Sequence, residues 1–217
     1  MIIKKFLHSC ILLEQDGKRL LFDPGTFCFI EKQITPKDIG RVDCLILTHS
    51  HPDHFFPEAI KELIALGAAT IIANQDISDA LKEEKIHCQI IHHGETFEVA
   101  GFTIEAFEAP HGRLPVPCPH NLTFRINKRF VHPGDSFTIA GLKSCDVLAL
   151  PIAGPWATIV DGLECADLLR PKIVIPIHDA IIKDFMLKRM YTLLCEPYLK
   201  ERGIEFRPLN IGEEIEI

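Results

Sequence analysis

The stretch ILTHSHPDHFFPEAIKEL, residues 46–63, crowds three histidines and one aspartate into six consecutive positions. An apolar run leads into these positions, and an amphipathic run follows them. His49 and His51 are two residues apart, so in an extended chain both imidazoles point to the same side. Asp53 and His54 lie beyond a proline and can face a second point nearby. Because such groups compete for protons unless a positive charge lies between them, the loop predicts ligand pairs for two neighbouring cations.

Further candidate ligands stand where other apolar strands are predicted to end. The strand VDCLILT precedes the motif, FTIEAFEAP precedes His111, KRFVHPG precedes Asp135 and KIVIPI precedes His178. Strand ends at the edge of a layered sheet protein are where sites are commonly built. His111 could complete the first site, His178 the second, and the two oxygens of Asp135 could bridge both. All donors are nitrogen or oxygen, which suits zinc, manganese or iron and gives no reason to expect copper.

The rest of the chain alternates between strand and helix patterns. ILLEQ and KRLLF flank an Asp16-Gly17 turn and predict a hairpin. A β-rich middle, residues 96–132, contains an Asn127-Lys128 turn, and a long helix is predicted over residues 182–203. The order predicts two sheets with helices outside them. With 217 residues, the chain is expected to form one domain over residues 1–217.

Composition narrows the classes of function and the cellular compartment. Lys plus Arg number 23 and Asp plus Glu number 30, so the formal net charge of −7 argues against nucleic acid as a partner. No apolar stretch is long enough for a membrane span, and the N-terminus lacks the features of a signal peptide. The eight cysteines occur singly, with no C-x-x-C pair. Reduced, mostly buried thiols in a cytoplasmic protein are therefore expected.

The ligand motifs, in this order, resemble the metallo-β-lactamase superfamily. The resemblance covers the N-terminal hairpins, LFDPG, THSHPDH, APH, HPGDS and PIH, and so essentially the whole chain. The chain is most similar to the small, single-domain metal-dependent hydrolases related to ascorbate-6-phosphate lactonase. That resemblance implies an α/β fold, a four-layer αββα sandwich, with a dinuclear metal site at one edge of its sheets.

The resemblance also implies a ligand set and a mechanism. Three groups of ligands follow from it: His49, His51 and His111 for one metal, Asp53, His54 and His178 for the other, and Asp135 as the bridge between them. The implied cofactors are two divalent metal ions, Zn²⁺ first, with Mn²⁺ or Fe²⁺ as alternatives. A bridging water or hydroxide would attack a lactone, ester or phosphodiester. Asp53 is the implied catalytic residue that orients this hydroxide.

Several residues outside the ligand set are candidates for the substrate side. His120 lies in a proline-rich loop, Trp156 lies on another strand-end loop, and Arg113 could meet an anionic substrate. Each of these three residues could instead simply pack against its neighbours or lie in a solvated loop. Phe55-Phe56 stands where many relatives carry a small residue, and could either wall the entrance or pack under a sheet. Two positions stay open for His8: it could lie near the site, or it could lie in the core with its imidazole hydrogen-bonded.

Three other functions compete with a small-molecule hydrolase. Di-iron redox members of the superfamily typically carry a carboxylate where this chain has His51, and they add a flavin domain. Superfamily nucleases usually carry an inserted domain, for which this chain has no room between His54 and His178. A non-catalytic metal-binding module would predict a broken ligand set. The expected partner is a small-molecule substrate, with no nucleic acid and no membrane. A homo-oligomer, the native metal and the substrate stay open.

Overall fold

Two mixed seven-stranded sheets form the centre of the protein in the computed structural model, which describes residues 1–68 and 70–217. In spatial order, the first sheet contains β14 (Glu214–Glu216), β1 (Ile2–Lys5), β2 (Ile11–Gln15), β3 (Lys18–Phe22), β4 (Cys44–Ile46), β5 (Thr70–Ala73) and β6 (Gln89–Ile90). The second contains β13 (Glu205–Phe206), β12 (Ile173–Ile177), β11 (Val147–Pro151), β10 (Phe130–His132), β9 (Leu122–Ile126), β8 (Phe102–Glu108) and β7 (Thr96–Val99).

Each sheet combines an antiparallel and a parallel part. β1, β2 and β3 pair antiparallel, and β3 to β6 then pair parallel. In the same way β7 to β10 pair antiparallel, and β10 to β13 pair parallel. As a result β1, β3 and β4 run in one direction within the first sheet, and β8, β10 and β12 run in one direction within the second. The C-terminal ends of each set therefore lie at one edge of their sheet.

Helices cover the outer face of each sheet. The helices are α1 (Thr26–Phe29), α2 (Pro36–Ile39), α3 (Pro57–Ala65), α4 (Gln75–Glu83), α5 (Ile159–Leu169), α6 (Asp184–Met190) and α7 (Glu196–Lys200). One apolar core lies between the two sheets, a second joins the first sheet to α1–α4, and a third joins the second sheet to α5 and α7. This is the four-layer αββα sandwich that the sequence predicted.

Local sequence explains the hairpins and the buried strands. Asp16 and Gly17 both have positive φ (52° and 71°), as the tight turn between β2 and β3 requires. Asn127 and Lys128 repeat this conformation between β9 and β10, with φ of 50° and 58°. The continuous apolar runs of β4 and β11 are buried at every position, as expected for strands covered on both faces. The predicted hairpins and strands are thereby confirmed.

The last helix contains a turn that was not predicted. The single helix predicted over residues 182–203 is present from Asp184 to Lys200, and a π-helical turn, Tyr191–Cys195, separates its parts α6 and α7. Pro197 follows this turn and has no N–H to donate to the carbonyl of Leu193, and its ring crowds that carbonyl. Widening of the preceding turn accommodates the proline.

The cysteines are mostly buried, as expected from the composition. All eight cysteines, which lie within the described residues, are free, and only Cys118 is exposed. Burial raises the pKa of the Cys44, Cys145 and Cys195 thiols to about 12. In the part of the chain that the structure describes, no helix has the length and apolar character needed to cross a membrane.

Candidate metal centre

All seven predicted ligands converge at one edge of the sandwich. The motif follows β4, while His111, Asp135 and His178 follow β8, β10 and β12. The structure forms two clusters in which all donor atoms lie within 4.8 Å of one another: His49, His51, His111 and Asp135 in the first cluster, and His8, Asp53, His54 and His178 in the second. The clusters match the two predicted ligand groups, with His8 as an addition to the second.

Asp135 lies between the clusters and contacts imidazoles from both. Its Oδ1 is 3.0 Å from Nε2 of His54, and its Oδ2 is 3.2 Å from Nε2 of His178. The same Oδ2 lies 3.4 Å from Nε2 of His111 and 3.8 Å from Nε2 of His49. Because the Asp135 side chain reaches imidazoles of both clusters, it occupies the position that a bridging ligand needs.

Four donor atoms in this centre make no well-aligned hydrogen bond. Within the described residues, these buried atoms are Nε2 of His49, His54 and His178 and Oδ1 of Asp135. One such atom costs about 1–3 kcal/mol when it is left unsatisfied. Here three imidazole nitrogens lie around the Asp135 carboxylate, so several lone pairs face one another. Nitrogen and oxygen donors of this kind bind divalent transition-metal ions. The residues present therefore fit a metal site.

A buried carboxylate behind the motif orients two of its histidines. Asp23, at the end of β3, lies with Oδ2 2.7 Å from Nδ1 of His54. It also accepts hydrogen bonds from the backbone N–H and the hydroxyl of Thr48, at 2.9 and 2.7 Å. The hydroxyl of Thr48 is in turn 3.0 Å from Nδ1 of His49. Such outer contacts fix the ring orientation and tautomer of metal-binding histidines.

Asp23 is outside the predicted ligand set, although it lies in LFDPG, one of the stretches that carry the family resemblance. Its position at a strand end is the same signal that identified the ligands. Asn121 was also absent from the predicted site residues. Its side chain accepts from Asp135 N at 3.1 Å and donates to the carbonyls of Ala109 and Pro133 at 2.9 and 3.1 Å. It therefore fastens the loops that carry His111 and Asp135 to each other.

His8 belongs to the site, which settles the question left open by the sequence. Its side chain is buried, and its Nε2 lies 3.1 Å from Oδ2 of Asp53. Its ring centroid is 4.0 Å from that of His178, and His178 N donates to the His8 carbonyl at 3.3 Å. His8 and His178 both have positive φ, 59° and 61°. Strained backbone of this kind persists where surrounding contacts over-determine it, commonly at functional sites.

Burial and charge set the protonation of the centre. Burial lowers the pKa of His49 well below its usual value, lowers that of His51, and lowers that of His8 to about 4. Burial also opposes charge on His178, but the Asp135 and Asp53 carboxylates together outweigh it and raise the pKa of His178 to about 9. The pKa of Asp135 itself lies well below its usual value, because the nearby imidazoles outweigh the effect of burial. Cation binding at such a centre displaces protons from the ligands.

Trp156 lies against both clusters. Its ring centroid is 5.6 Å from that of His111 and 5.7 Å from that of His178. A Cβ added at Gly112 would stand 2.0 Å from Cε3 of Trp156, so a glycine is needed for the indole to lie there. The structure thus brings this substrate-side candidate to the border of the centre.

The other substrate-side candidates differ in their surroundings. Arg113 is exposed two residues after His111, and no carboxylate pairs with it among the described residues. His120 lies outside both clusters, with Nε2 3.1 Å from Oε2 of Glu108. Phe55 is buried in the core beneath the first sheet, so the packing alternative holds for it. Phe56 is half-buried, with its ring centroid 6.4 Å from that of Phe29.

Comparison with known proteins identifies the family. Residues 2–178 match the model of a family described as the beta-lactamase superfamily domain, and the chain belongs to it. Protein Rv0786c of Mycobacterium tuberculosis is 31% identical over 190 residues, which are 84% of this chain and 85% of that protein. The UPF0173 metal-dependent hydrolase NEQ378 of Nanoarchaeum equitans is 29% identical over 237 residues, with both chains fully covered.

Solved structures show the same fold. Igni18, a metallo hydrolase from the archaeon Ignicoccus hospitalis, has a TM-score of 0.76 at 21% identity, over 100% of this chain and 98% of that chain. CmlA, a diiron β-hydroxylase from Streptomyces venezuelae, has a TM-score of 0.71 at 16% identity, over 100% of this chain and 54% of that one. Family, relatives and fold together make this protein a metal-dependent hydrolase of the metallo-β-lactamase superfamily, the class that the sequence predicted.

Proposed function

We propose that this hydrolase binds two divalent metal ions, one in each cluster with Asp135 between them, and cleaves a lactone, an ester or a phosphodiester. Asp135 carries the proposal, because its two oxygens face imidazoles from both clusters at 3.0–3.8 Å. The unpartnered, buried donor atoms around it support the same conclusion. The first ion would be held by His49, His51 and His111, and the second by Asp53, His54 and His178. Zn²⁺ suits this donor set best.

Metal ions at these clusters would lower the pKa of a bound water and polarise the oxygen of the scissile bond. Asp53 is the proposed catalytic residue. It is the most exposed carboxylate of the centre, with 18% of its side chain accessible against 2% for Asp135. The contact with His8 holds Oδ2, so Asp53 is positioned to accept a hydrogen bond from the attacking water. Trp156, whose ring lies against His111 and His178, would exclude solvent at one border of the centre, and Arg113 would meet an anionic group of the substrate.

The decisive experiment measures metal per chain by elemental mass spectrometry. We expect about two zinc or manganese ions in the wild type and clearly less in His51→Ala and Asp135→Asn. His87→Ala is the matched control, since this histidine is exposed and lies outside both clusters. A panel of lactones, esters and phosphodiesters then identifies the reaction. A wild type that retains no metal after reconstitution would refute the proposal.

A di-iron redox protein is the second candidate, favoured by the likeness in fold to CmlA. His51, which stands where such proteins typically carry a carboxylate, argues against it. About two irons per chain, with no hydrolysis of any panel substrate, would select the redox function. The net charge of −7 supports a small-molecule substrate over nucleic acid.

A further inference from the structure

A cleft of about 1090 Å³ opens beside the second cluster. Its volume is slightly above the range of about 300–1,000 Å³ that is typical of small-molecule sites. The walls come from the loop after β1, from α1 with the residues that follow it, and from residues 179–187 after β12. Apolar and polar groups share the walls about equally, and the apolar side chains include Leu7, Phe27, Ile30, Ile181 and Phe185.

The cleft borders the metal centre at two of its lining residues. Phe27 packs edge-on against His8, with ring centroids 5.1 Å apart. Asp179 directly follows the ligand His178. A hydrogen bond of 2.8 Å from Thr26 N to the Pro52 carbonyl also ties α1 to the motif loop. Phe27 and Asp179 are thus shared neighbours of the second cluster and of the cleft, and a substrate arm that extends past them from the cluster would enter the cleft.

The charges inside the cleft are already paired. Nζ of Lys5 lies 2.9 Å from Oδ2 of Asp179, and the side chains are only 3% and 9% exposed. The Tyr191 hydroxyl donates to the same carboxylate at 3.2 Å. Breaking a buried pair of this kind leaves an uncompensated charge and is strongly unfavourable. Lys5 is thus not free to bind a phosphate, and the floor of the cleft favours an uncharged group.

The rim is apolar and exposed. Ile30, Ile181 and Phe185 are 66%, 47% and 67% exposed around the opening. Clusters of exposed apolar side chains beside a site mark surfaces that bind apolar ligands. The charged rim residues are Glu31, Lys183 and Asp184, which together carry −1 + 1 − 1 = −1. The rim therefore adds no positive charge that would attract an anion.

We propose that this cleft binds an uncharged, apolar arm of the substrate, so that the substrate is an ester or lactone with an acyl chain rather than a phosphodiester. The inference rests on the proposed hydrolytic function for the position of the scissile bond. The cleft itself can be tested without any reaction.

The first test measures binding of neutral methyl ketones, from 2-hexanone to 2-decanone, by displacement of the neutral fluorophore 1-N-phenylnaphthylamine. Affinity for the metal-loaded wild type should rise with chain length, by up to about fourfold for each methylene buried. The double variant Ile181→Ser with Phe185→Ser should weaken 2-decanone binding by about tenfold or more. Leu168→Ser is the matched control, because Leu168 is 73% exposed on α5, away from the cleft.

A second measurement separates failure of the cleft from failure of the proposed function. The ratio of kcat/KM for 4-nitrophenyl octanoate to that for the acetate should fall in the double variant and not in Leu168→Ser. Ketone binding that depends on chain length, without cleavage of any ester, would keep the cleft and reject the hydrolytic function. Ester cleavage with no chain-length dependence of binding or rate would overturn the cleft. A wild-type dimer that binds no ketone and dissociates in the double variant, by light scattering, would also overturn it, since a second copy would then cover the apolar rim.

Discussion

Asp23→Asn tests how the centre is held in place. The wild-type carboxylate accepts three hydrogen bonds, from Thr48 N, from the Thr48 hydroxyl and from Nδ1 of His54. Because a carboxylate only accepts, it keeps the hydrogen of His54 on Nδ1 and leaves Nε2 available to a metal ion. The amide has the same shape but carries one NH₂ group. In either orientation this group faces a donor, Nδ1 of His54 or the backbone N–H of Thr48.

Two magnitudes follow from this geometry. Asp23 is fully buried, so a facing pair of donors should lower the free energy of unfolding of the metal-free protein by about 1–3 kcal/mol. Loss of the carboxylate behind His54 should weaken binding of the second metal ion by about 10–100-fold, which corresponds to about 1.4–2.8 kcal/mol. Both effects should appear with no change in any residue that touches the metal.

Calorimetric titration of the metal-free protein with Zn²⁺, together with urea unfolding, measures both quantities. Asp43→Asn is the matched control, since this carboxylate precedes β4 at the other end of the strand from the motif. An Asp23→Asn protein that binds two ions with wild-type affinity would show that the carboxylate does not orient His54. Equal losses in both variants would point to a general effect of removing a charge.

Three further predictions follow from the structure. His8→Gly should be more stable than His8→Ala by about 1 kcal/mol in urea unfolding, because position 8 has a φ of 59° that an alanine adopts only under strain; equal stabilities would contradict this. Chelation of the metal should lower Tm, since a ligand at 1,000 times its Kd adds about 4 kcal/mol to the free energy of unfolding; an unchanged Tm, checked by calorimetry with metal restored, would speak against a metal bound in the folded state. Iodoacetamide should modify Cys118 alone in the native chain, because the other seven thiols are buried; intact mass measures the number, and more than one adduct would refute it.

The sequence was sufficient to predict that the candidate ligands come together, because their signal is local. Each follows an apolar strand, and the spacing from His49 to His54 alone indicates two groups of donors. Parallel strands then place these ends at one edge of a sheet. The strands themselves are predicted by the spacing of apolar residues and by the residues of the turns. The hairpins at Asp16-Gly17 and Asn127-Lys128 were equally local.

Residues that act through partners distant in the chain were not predictable in this way. Asp23 contacts His54 across 31 positions, and Asn121 contacts Asp135 across 14. No local pattern marks such pairs, because they exist only after the strands have assembled. The place of His8 was open for the same reason, since its contact with Asp53 spans 45 positions and its contact with His178 joins the two sheets. The division of the last helix had a visible cause in Pro197, whose cost depends on the geometry of the turn before it.

Because these strands share one direction, the sandwich has one end that carries the metal centre and an opposite end that does not. β3 and β10 run towards the metal centre, so the tight turns that precede them, at Asp16-Gly17 and Asn127-Lys128, lie at the opposite end. Exposed loop tips of this kind are where inserted segments are best tolerated. A fluorophore, an affinity tag or a whole guest domain could be placed in either turn. The protein could then be immobilised or labelled while the end with the metal centre stays open to solvent.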